Sequence, residues 1–166
     1  MKLGLALGSN LGYRLQHLRQ AKDFLTALSR HGWCLASPVY ETEPVDCPPG
    51  SPGFYNAVIE IEYDEALATL LKQTQAYEAA AGREPVRVRN AARTVDIDLL
   101  YCGDLEIRDH DLILPHPRLA ERRFVLLPLS DIQPDRIIPG TDRTVRTLLN
   151  ELPKDGPRAT LATNDW

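Results

Sequence analysis

From Thr94 onward the chain alternates strictly, with Arg93-Thr94-Val95-Asp96-Ile97-Asp98 running into Leu99, Leu100 and Tyr101. Successive side chains of a strand point to opposite faces, so Val95, Ile97, Leu99 and Tyr101 share one face and Asp96, Asp98 and Leu100 the other. A face that apolar belongs in a core, and the two carboxylates then stand side by side on its reverse. Their Cα atoms lie roughly 6.5 to 7 Å apart at about 3.3 Å of rise per residue. Carboxylates so placed can each hold a divalent ion or bridge a pair about 3.5 to 4 Å apart. Mg²⁺ suits them because it takes oxygen ligands, keeps several waters and usually binds one or two protein carboxylates plus substrate phosphate oxygens.

Opposite charge lies just upstream. Arg83, Arg87, Arg89 and Arg93 fall within eleven residues that contain no lysine. Guanidinium presents a rigid fork of donors that grips phosphate oxygens in pairs, whereas lysine is a point charge. A solvated loop whose arginines pair with the two aspartates has the same appearance, and this window alone leaves both readings open.

Composition narrows the choice. A chain of 166 residues buries about two thirds of its unfolded surface and needs no disulfide or metal to fold, so residues 1–166 are expected to form one domain. The net charge of −4 argues against general nucleic-acid binding and sets the arginine cluster apart from its background. Cys34, Cys47 and Cys102 are odd in number and widely spaced, which excludes a disulfide framework and a zinc-ligand spacing and fits a reducing compartment. Leu3-Gly4-Leu5-Ala6-Leu7 is too short for a signal sequence or a membrane span. A cytoplasmic monomer with no membrane or nucleic-acid partner is expected.

In chain order, Leu3, Leu5 and Leu7 mark a first strand that ends at Gly8-Ser9-Asn10-Leu11-Gly12, a turn with two helix-capping residues. Leu15, Leu18, Leu25 and Leu28 recur at helical spacing, with Gly32 placed as a C-terminal cap. Gly8-Ser9-Asn10 could bring backbone amides to a phosphate, or could simply be a tight strand-to-helix turn. Residues 33–40 read as a second strand, broken by Pro38 and so suited to an edge. Residues 42–53 form a long Pro- and Gly-rich loop of the kind usually given to function. The next strand turns Tyr55, Ala57, Ile59 and Ile61 to the core and Phe54, Asn56 and Val58 away from it, beside Glu60 and Glu62. Asp64 is placed to cap a second helix with Leu67, Leu70, Leu71, Thr74 and Tyr77 or Glu78 inward, ending at Gly82.

After the Asp96, Asp98 strand, Cys102-Gly103-Asp104 suggests a hairpin turn into residues 105–108. His116 is held between Pro115 and Pro117, whose fixed φ angles stiffen the backbone, so it is either a placed side chain or a surface His in a proline turn. A last helix spans 144–151, and residues 153–166 read as a loosely held tail. Strand, helix, strand, strand, helix, strand is the order of a ferredoxin-like split βαβ core. The expected class is therefore α+β, an antiparallel sheet with helices packed on it, extended by the hairpin and the C-terminal helix.

Taken together and in order, Gly8-Ser9-Asn10, Phe54-Tyr55-Asn56, Gln75 with Glu78, Gly82-Arg83, Arg93 to Leu100, Pro115-His116-Pro117, and Arg122-Arg123-Phe124 with Pro128-Leu129 resemble the 6-hydroxymethyl-7,8-dihydropterin pyrophosphokinase family of the folate pathway. The likeness runs from Leu3 to about Leu152. It implies transfer of a pyrophosphoryl group from the co-substrate ATP to the hydroxymethyl oxygen of the pterin, with release of AMP. It assigns two Mg²⁺ ions to Asp96 and Asp98, with Asp96 the expected proton acceptor, and the triphosphate to Arg83, Arg93, His116 and Arg122 with either Arg89 or Arg87. Arg83 and Arg93 are counted with the aspartates as catalytic. Gln75 and Glu78 join the nucleotide site, and Leu99 would contact adenine. Phe54 and Phe124 match the rings that sandwich the pterin, Asn56 its hydrogen-bonding amide, and Thr42, Pro44 and Val45 the backbone that completes the pocket.

The sequence departs from the family where a tryptophan and a proline usually stand between Arg89 and Arg93, since it has Asn90, Ala91 and Ala92 there. In the family that tryptophan belongs to a loop that closes over bound substrates. A noncatalytic nucleotide-binding module on the same scaffold is the alternative, because fold does not fix function. A single-stranded RNA binder fits less well, for want of paired aromatics on the strands.

Overall fold

Strand, helix, three strands, helix, strand is the order the chain follows in a computed structural model, which describes residues 1–44, 49–82 and 93–166, and the first two of the three strands both pair with the third, in the place of one. Strand β1 (Lys2–Ser9) leads into α1 (Arg14–Leu28), then β2 (Cys34–Ala36), β3 (Val39–Thr42), β4 (Phe54–Glu62), α2 (Leu67–Ala80) and β5 (Asp96–Cys102). A small hairpin of β6 (Ile107–Arg108) and β7 (Ile113–Leu114) follows, then α3 (Arg123–Ile132), β8 (Ile137–Ile138), β9 (Arg143–Thr144), α4 (Val145–Glu151) and β10 (Ala159–Thr163). The main sheet runs β10-β3-β4-β1-β5, with β2 also on β4, and its pairs are antiparallel. This is the expected split βαβ order.

One sheet face carries Leu3, Leu5 and Leu7 of β1, Ala57, Ile59 and Ile61 of β4, and Val95, Ile97 and Leu99, all buried with Leu18, Ala21 and Leu25 of α1 and Leu70 of α2. Phe24 and Tyr77 stack at 4.5 Å and join the two helices. Each buried leucine contributes roughly 1.5–3 kcal/mol. Three of them in β1 therefore outweigh the cost of its two glycines, roughly 0.5–1 kcal/mol each.

The second face, which carries Val58 and Glu60, is packed as well. Val58, Leu100 and Tyr101 are buried there under Val125, Leu126 and Leu129 of α3 and Val145 and Leu148 of α4. Glu60 is buried too, accepting hydrogen bonds from the Tyr101 hydroxyl (2.6 Å) and Gln133 Nε2 (3.0 Å). Tyr101 was expected to face the same way as Leu99. A β-bulge overturns this: Leu5 pairs with Leu99 and Gly4 with Tyr101, so Leu100 is an extra residue and the alternation shifts by one. A Cβ at Gly4 would lie 2.4 Å from Tyr101 Cε1, so only glycine lets the ring cross β1.

Several boundaries also differ from expectation. Residues 33–40 form two strands rather than one, and the second, β3, lies between β4 and β10 instead of at an edge. Helix α1 begins after Tyr13 with no side-chain cap and ends at Leu28, before Gly32. Asp64 does not cap α2, whose N-cap is Ala66, but binds the Met1 ammonium at 2.8 Å and Arg30 at 3.2 Å. Strand β6 pairs with β7 rather than continuing a hairpin from β5. The run from Val125 to Leu129, to which no element was assigned from the sequence, is helical with Pro128 inside the helix. Residues 153–166 are not loose: β10 pairs with β3, and Trp166 Nε1 donates to the Ser37 carbonyl at 2.7 Å.

Candidate active site

Strand β5 delivers both acids to one opening. Asp96 lies opposite Gly8 and Asp98 opposite Ala6, and both line a cleft of about 280 Å³ with Thr42, Phe54, Asn56 and Phe124. Small residues on the facing strand leave this end of the sheet open. A Cβ at Gly8 would come within 3.2 Å of Asn56 Oδ1 and 3.9 Å of the Phe54 ring, so its absence lets the amide lie against the floor. Asn56 Nδ2 donates to Thr42 Oγ1 at 2.6 Å, which satisfies two buried polar groups at once.

Arginines answer the acids. Arg93 Nη1 donates to Asp96 Oδ2 at 2.6 Å and Arg122 Nη1 to Asp98 Oδ2 at 3.2 Å. Arg118 and Arg123 also border the cleft, and α3 begins at Arg123, so the positive end of its dipole adds to the same field. Glu43 and Glu121 are further wall residues that the sequence reading did not anticipate, as is Pro157 from the segment expected to be a loose tail.

Asn10 holds Arg93 in place. Its Oδ1 accepts from the Arg93 N–H at 2.8 Å, and its own N–H donates to the Arg93 carbonyl at 3.2 Å. Gly8-Ser9-Asn10 stood out in the sequence, but periodicity offered no sign that its amide reaches a backbone 83 residues away.

A second cleft of about 280 Å³ adjoins the first and shares Asp98 with it, lined by Leu71, Ile97, Leu99, His116 and Pro117. The His116 N–H donates to the Leu100 carbonyl at 2.8 Å, and its Nδ1 accepts from the Arg118 N–H at 3.1 Å, which places the ring proton on Nε2. Burial lowers the His116 pKa below the ordinary histidine value, Asp98 pulls it back, and Arg122 and Arg118 lower it further. The imidazole is therefore neutral at pH 7.

Of the remaining expected site residues, Glu78 is buried on α2 and its Oε1 accepts from the Ile97 N–H at 2.7 Å, tying the helix to the strand between the two aspartates. Gln75 is exposed on α2 and lines neither cleft, and Pro44 is half-buried outside both. Val45, Arg83, Arg87, Arg89 and the Asn90-Ala91-Ala92 departure lie outside the described residues. Among the described residues no group of three His, Cys, Asp or Glu is arranged to hold a metal. Two carboxylates on one face suit an ion that completes its shell with water and phosphate oxygens.

A family model for 7,8-dihydro-6-hydroxymethylpterin-pyrophosphokinase matches residues 4–134. The chain belongs to this family. The chain is 40% identical over 128 residues to the 2-amino-4-hydroxy-6-hydroxymethyldihydropteridine pyrophosphokinase of Bacillus subtilis, across 77% of this chain and 75% of that one. It is 32% identical over 154 residues to the folic acid synthesis protein fol1 of Schizosaccharomyces pombe, across 93% of this chain. Of that protein and the similar ones from Arabidopsis thaliana and Pneumocystis carinii, the pyrophosphokinase-family chain spans 21%, 26% and 20% of the length. A crystal structure of a Plasmodium falciparum HPPK-DHPS triple mutant with pteroate aligns with a TM-score of 0.64 at 15% identity, over 90% of this chain and 42% of that one. At that identity the likeness speaks for the fold. No helix among the described residues is long and apolar enough to cross a membrane.

Proposed function

We propose that the protein transfers pyrophosphate from ATP to the hydroxymethyl group of 6-hydroxymethyl-7,8-dihydropterin, giving AMP and the pterin diphosphate for folate biosynthesis. Family membership supports the reaction. The observation that carries it is the position of Asp98, common to a cleft bordered by Phe54 and Phe124 and to a second bordered by Leu99 and His116. A pterin in the first and the nucleotide in the second would meet at the acid pair.

In this reading Phe54 and Phe124 clamp the flat pterin. Asn56, with its Nδ2 engaged by Thr42, presents Oδ1 to the donors on the pterin edge. Asp96 and Asp98 would hold two Mg²⁺ ions, which when bound neutralise phosphate charge and acidify the attacking hydroxyl. Arg93 and Arg122, paired with the acids in the free protein, turn to phosphate oxygens, and Arg83 and Arg89 complete the triphosphate grip. Neutral His116, protonated on Nε2, donates a hydrogen bond there without adding a charge.

The hydroxymethyl oxygen attacks the β-phosphorus, a new O–P bond forms, and the bond from that phosphorus to the oxygen of AMP breaks. The hydroxyl proton passes to Asp96, which borders the pterin cleft alone, whereas Asp98 borders both. Positioning and charge neutralisation supply the rate, since phosphoryl-type transfer leaves the protein little covalent chemistry.

We take residues 1–166 as one pyrophosphokinase domain acting as a cytoplasmic monomer, with the free thiols Cys34 and Cys102 suited to a reducing compartment. Incubation with MgATP and the hydroxymethyl-dihydropterin tests the reading. AMP and a pterin diphosphate in equal amounts are expected, and ATP binding with no AMP would overturn it in favour of a binding module.

A further inference from the structure

We infer that residues 153–166, which lie beyond the family match at 4–134, are a strap that positions the pterin end of the site, with Pro157 as a wall residue and Trp166 as its positioning anchor. The inference rests on the pyrophosphokinase reading above.

The segment crosses from one wall of the cleft to the other. On the α3 side, Arg123 Nη2 donates to the Pro153 carbonyl at 3.1 Å, and the Gly156 N–H turns back to the same carbonyl at 3.4 Å. Pro157 then lines the cleft. On the β3 side, the Glu43 N–H donates to the Arg158 carbonyl at 3.4 Å, and β10 pairs with β3 through Ala159 opposite Thr42 and Thr160 opposite Glu41. Thr42 is the residue whose hydroxyl holds Asn56.

Beyond β10, Trp166 closes the strap onto the rest of the fold. Its ring packs against the main core, its Nε1 donates to the Ser37 carbonyl at 2.7 Å, and the Lys22 ammonium sits 4.5 Å over the ring while also donating to the Trp166 main-chain oxygen. Arg19 donates to the Asp165 carbonyl at 3.3 Å. Strand β3 is thereby paired on both edges, so Tyr40 is held opposite Asn56 and Thr42 opposite Phe54 on β4, with the Thr42 hydroxyl on the Asn56 amide. No residue of 153–166 is among those lining the nucleotide cleft. Loosening the strap should therefore weaken pterin binding and spare ATP.

Dissociation constants for the pterin substrate, measured calorimetrically with a non-hydrolysable ATP analogue present, test this together with steady-state constants. Trp166→Ala loses a hydrogen bond and its packing and should raise the pterin Kd and KM roughly tenfold, with the ATP KM and kcat within about twofold. Trp166→Phe, which keeps the packing, should recover part of the loss. Pro157→Gly, at an exposed position, makes the same test without touching the core and should raise the pterin constants severalfold. Unchanged pterin constants in Trp166→Ala and Pro157→Gly, or equal losses for ATP and pterin, would overturn the strap while leaving the activity intact. If the unsubstituted protein binds no pterin, the reading beneath the inference falls and takes it along.

Discussion

Replacing Asp98 by asparagine separates an acid kept for structure from one kept for chemistry. Its contact with Arg122 is 3.2 Å long, with 36% of the aspartate side chain and 18% of the arginine exposed. A pair that open to solvent is worth about 0–1 kcal/mol. Against it stands repulsion from Asp96, whose Cα is roughly 6.5 to 7 Å away along the strand. At that separation two like charges cost about 0.6 kcal/mol in bulk water and about 2.5 kcal/mol at an effective dielectric constant near 20. The two effects oppose each other, so Asp98→Asn should destabilise by no more than about 1 kcal/mol, a Tm drop within about 4 °C for a chain of this length.

Turnover should respond quite differently. Loss of a single preorganised group facing developing charge costs about 10²–10³ in rate. Asp98 both balances Arg122 and borders the two clefts, so kcat/KM should fall by at least roughly 10³, about 4 kcal/mol of transition-state stabilisation. AMP release over a range of Mg²⁺ concentrations, with calorimetric melting of the same preparation, measures both quantities. A folded Asp98→Asn protein within about tenfold of the parent rate would refute the argument, as would a rate loss explained by melting.

Other perturbations read other parts of the site. Asn10→Ala removes the acceptor of the Arg93 N–H and should cost about 1–3 kcal/mol, with a fall in kcat as Arg93 loses its placement; Asn10→Asp keeps that acceptor and should melt closer to the parent. Lowered by burial, the His116 pKa sits below its unfolded value of 6.5, so between those two values the unfolded chain binds more protons. Stability of the ligand-free protein should therefore be full above that value and decline as pH falls through the window, and His116→Gln should flatten this part of the pH–stability curve. Gly4→Ala would set a Cβ 2.4 Å from a fully buried tyrosine ring and should cost about 1–3 kcal/mol in chemical denaturation, whereas Gly32→Ala, with nothing within 4 Å but a φ of +65°, should cost about 1 kcal/mol.

What could be read from the sequence follows from where side chains carry the pattern. Leu3, Leu5 and Leu7 and Val95, Ile97 and Leu99 are buried on one face, so their alternation is visible and the acid pair falls out of it. Thr42, Phe54, Asn56, Phe124 and Arg122 come together at the same cleft, but only a family resemblance could name them, since they arise from three separate segments. Strand β10 pairs through backbone groups, and its side chains are largely exposed, so no hydrophobic alternation announces it. Helix α3 was hidden because Pro128 breaks the helical pattern locally, while burial of Val125, Leu126 and Leu129 stabilises the helix regardless. Asn10 was misjudged for a related reason: its partner is a backbone amide, which every residue possesses and no sequence marks.

The bulge at Leu100 explains how one strand can serve both a site and a core. Without it, Asp96, Asp98 and Leu100 would share the second face and Tyr101 would return to the first. The inserted residue places Leu100 and Tyr101 together on the second face, under α3 and α4. Two successive residues then seal the sheet where Gly4 makes room for the ring, and the acids remain where Gly8 and Ala6 leave the surface low. The covered half anchors β5 from behind, and Glu78 fixes it from the opposite face at Ile97. The two like charges are thus held on a strand clamped from both sides, which keeps their separation set by the backbone rather than by their repulsion.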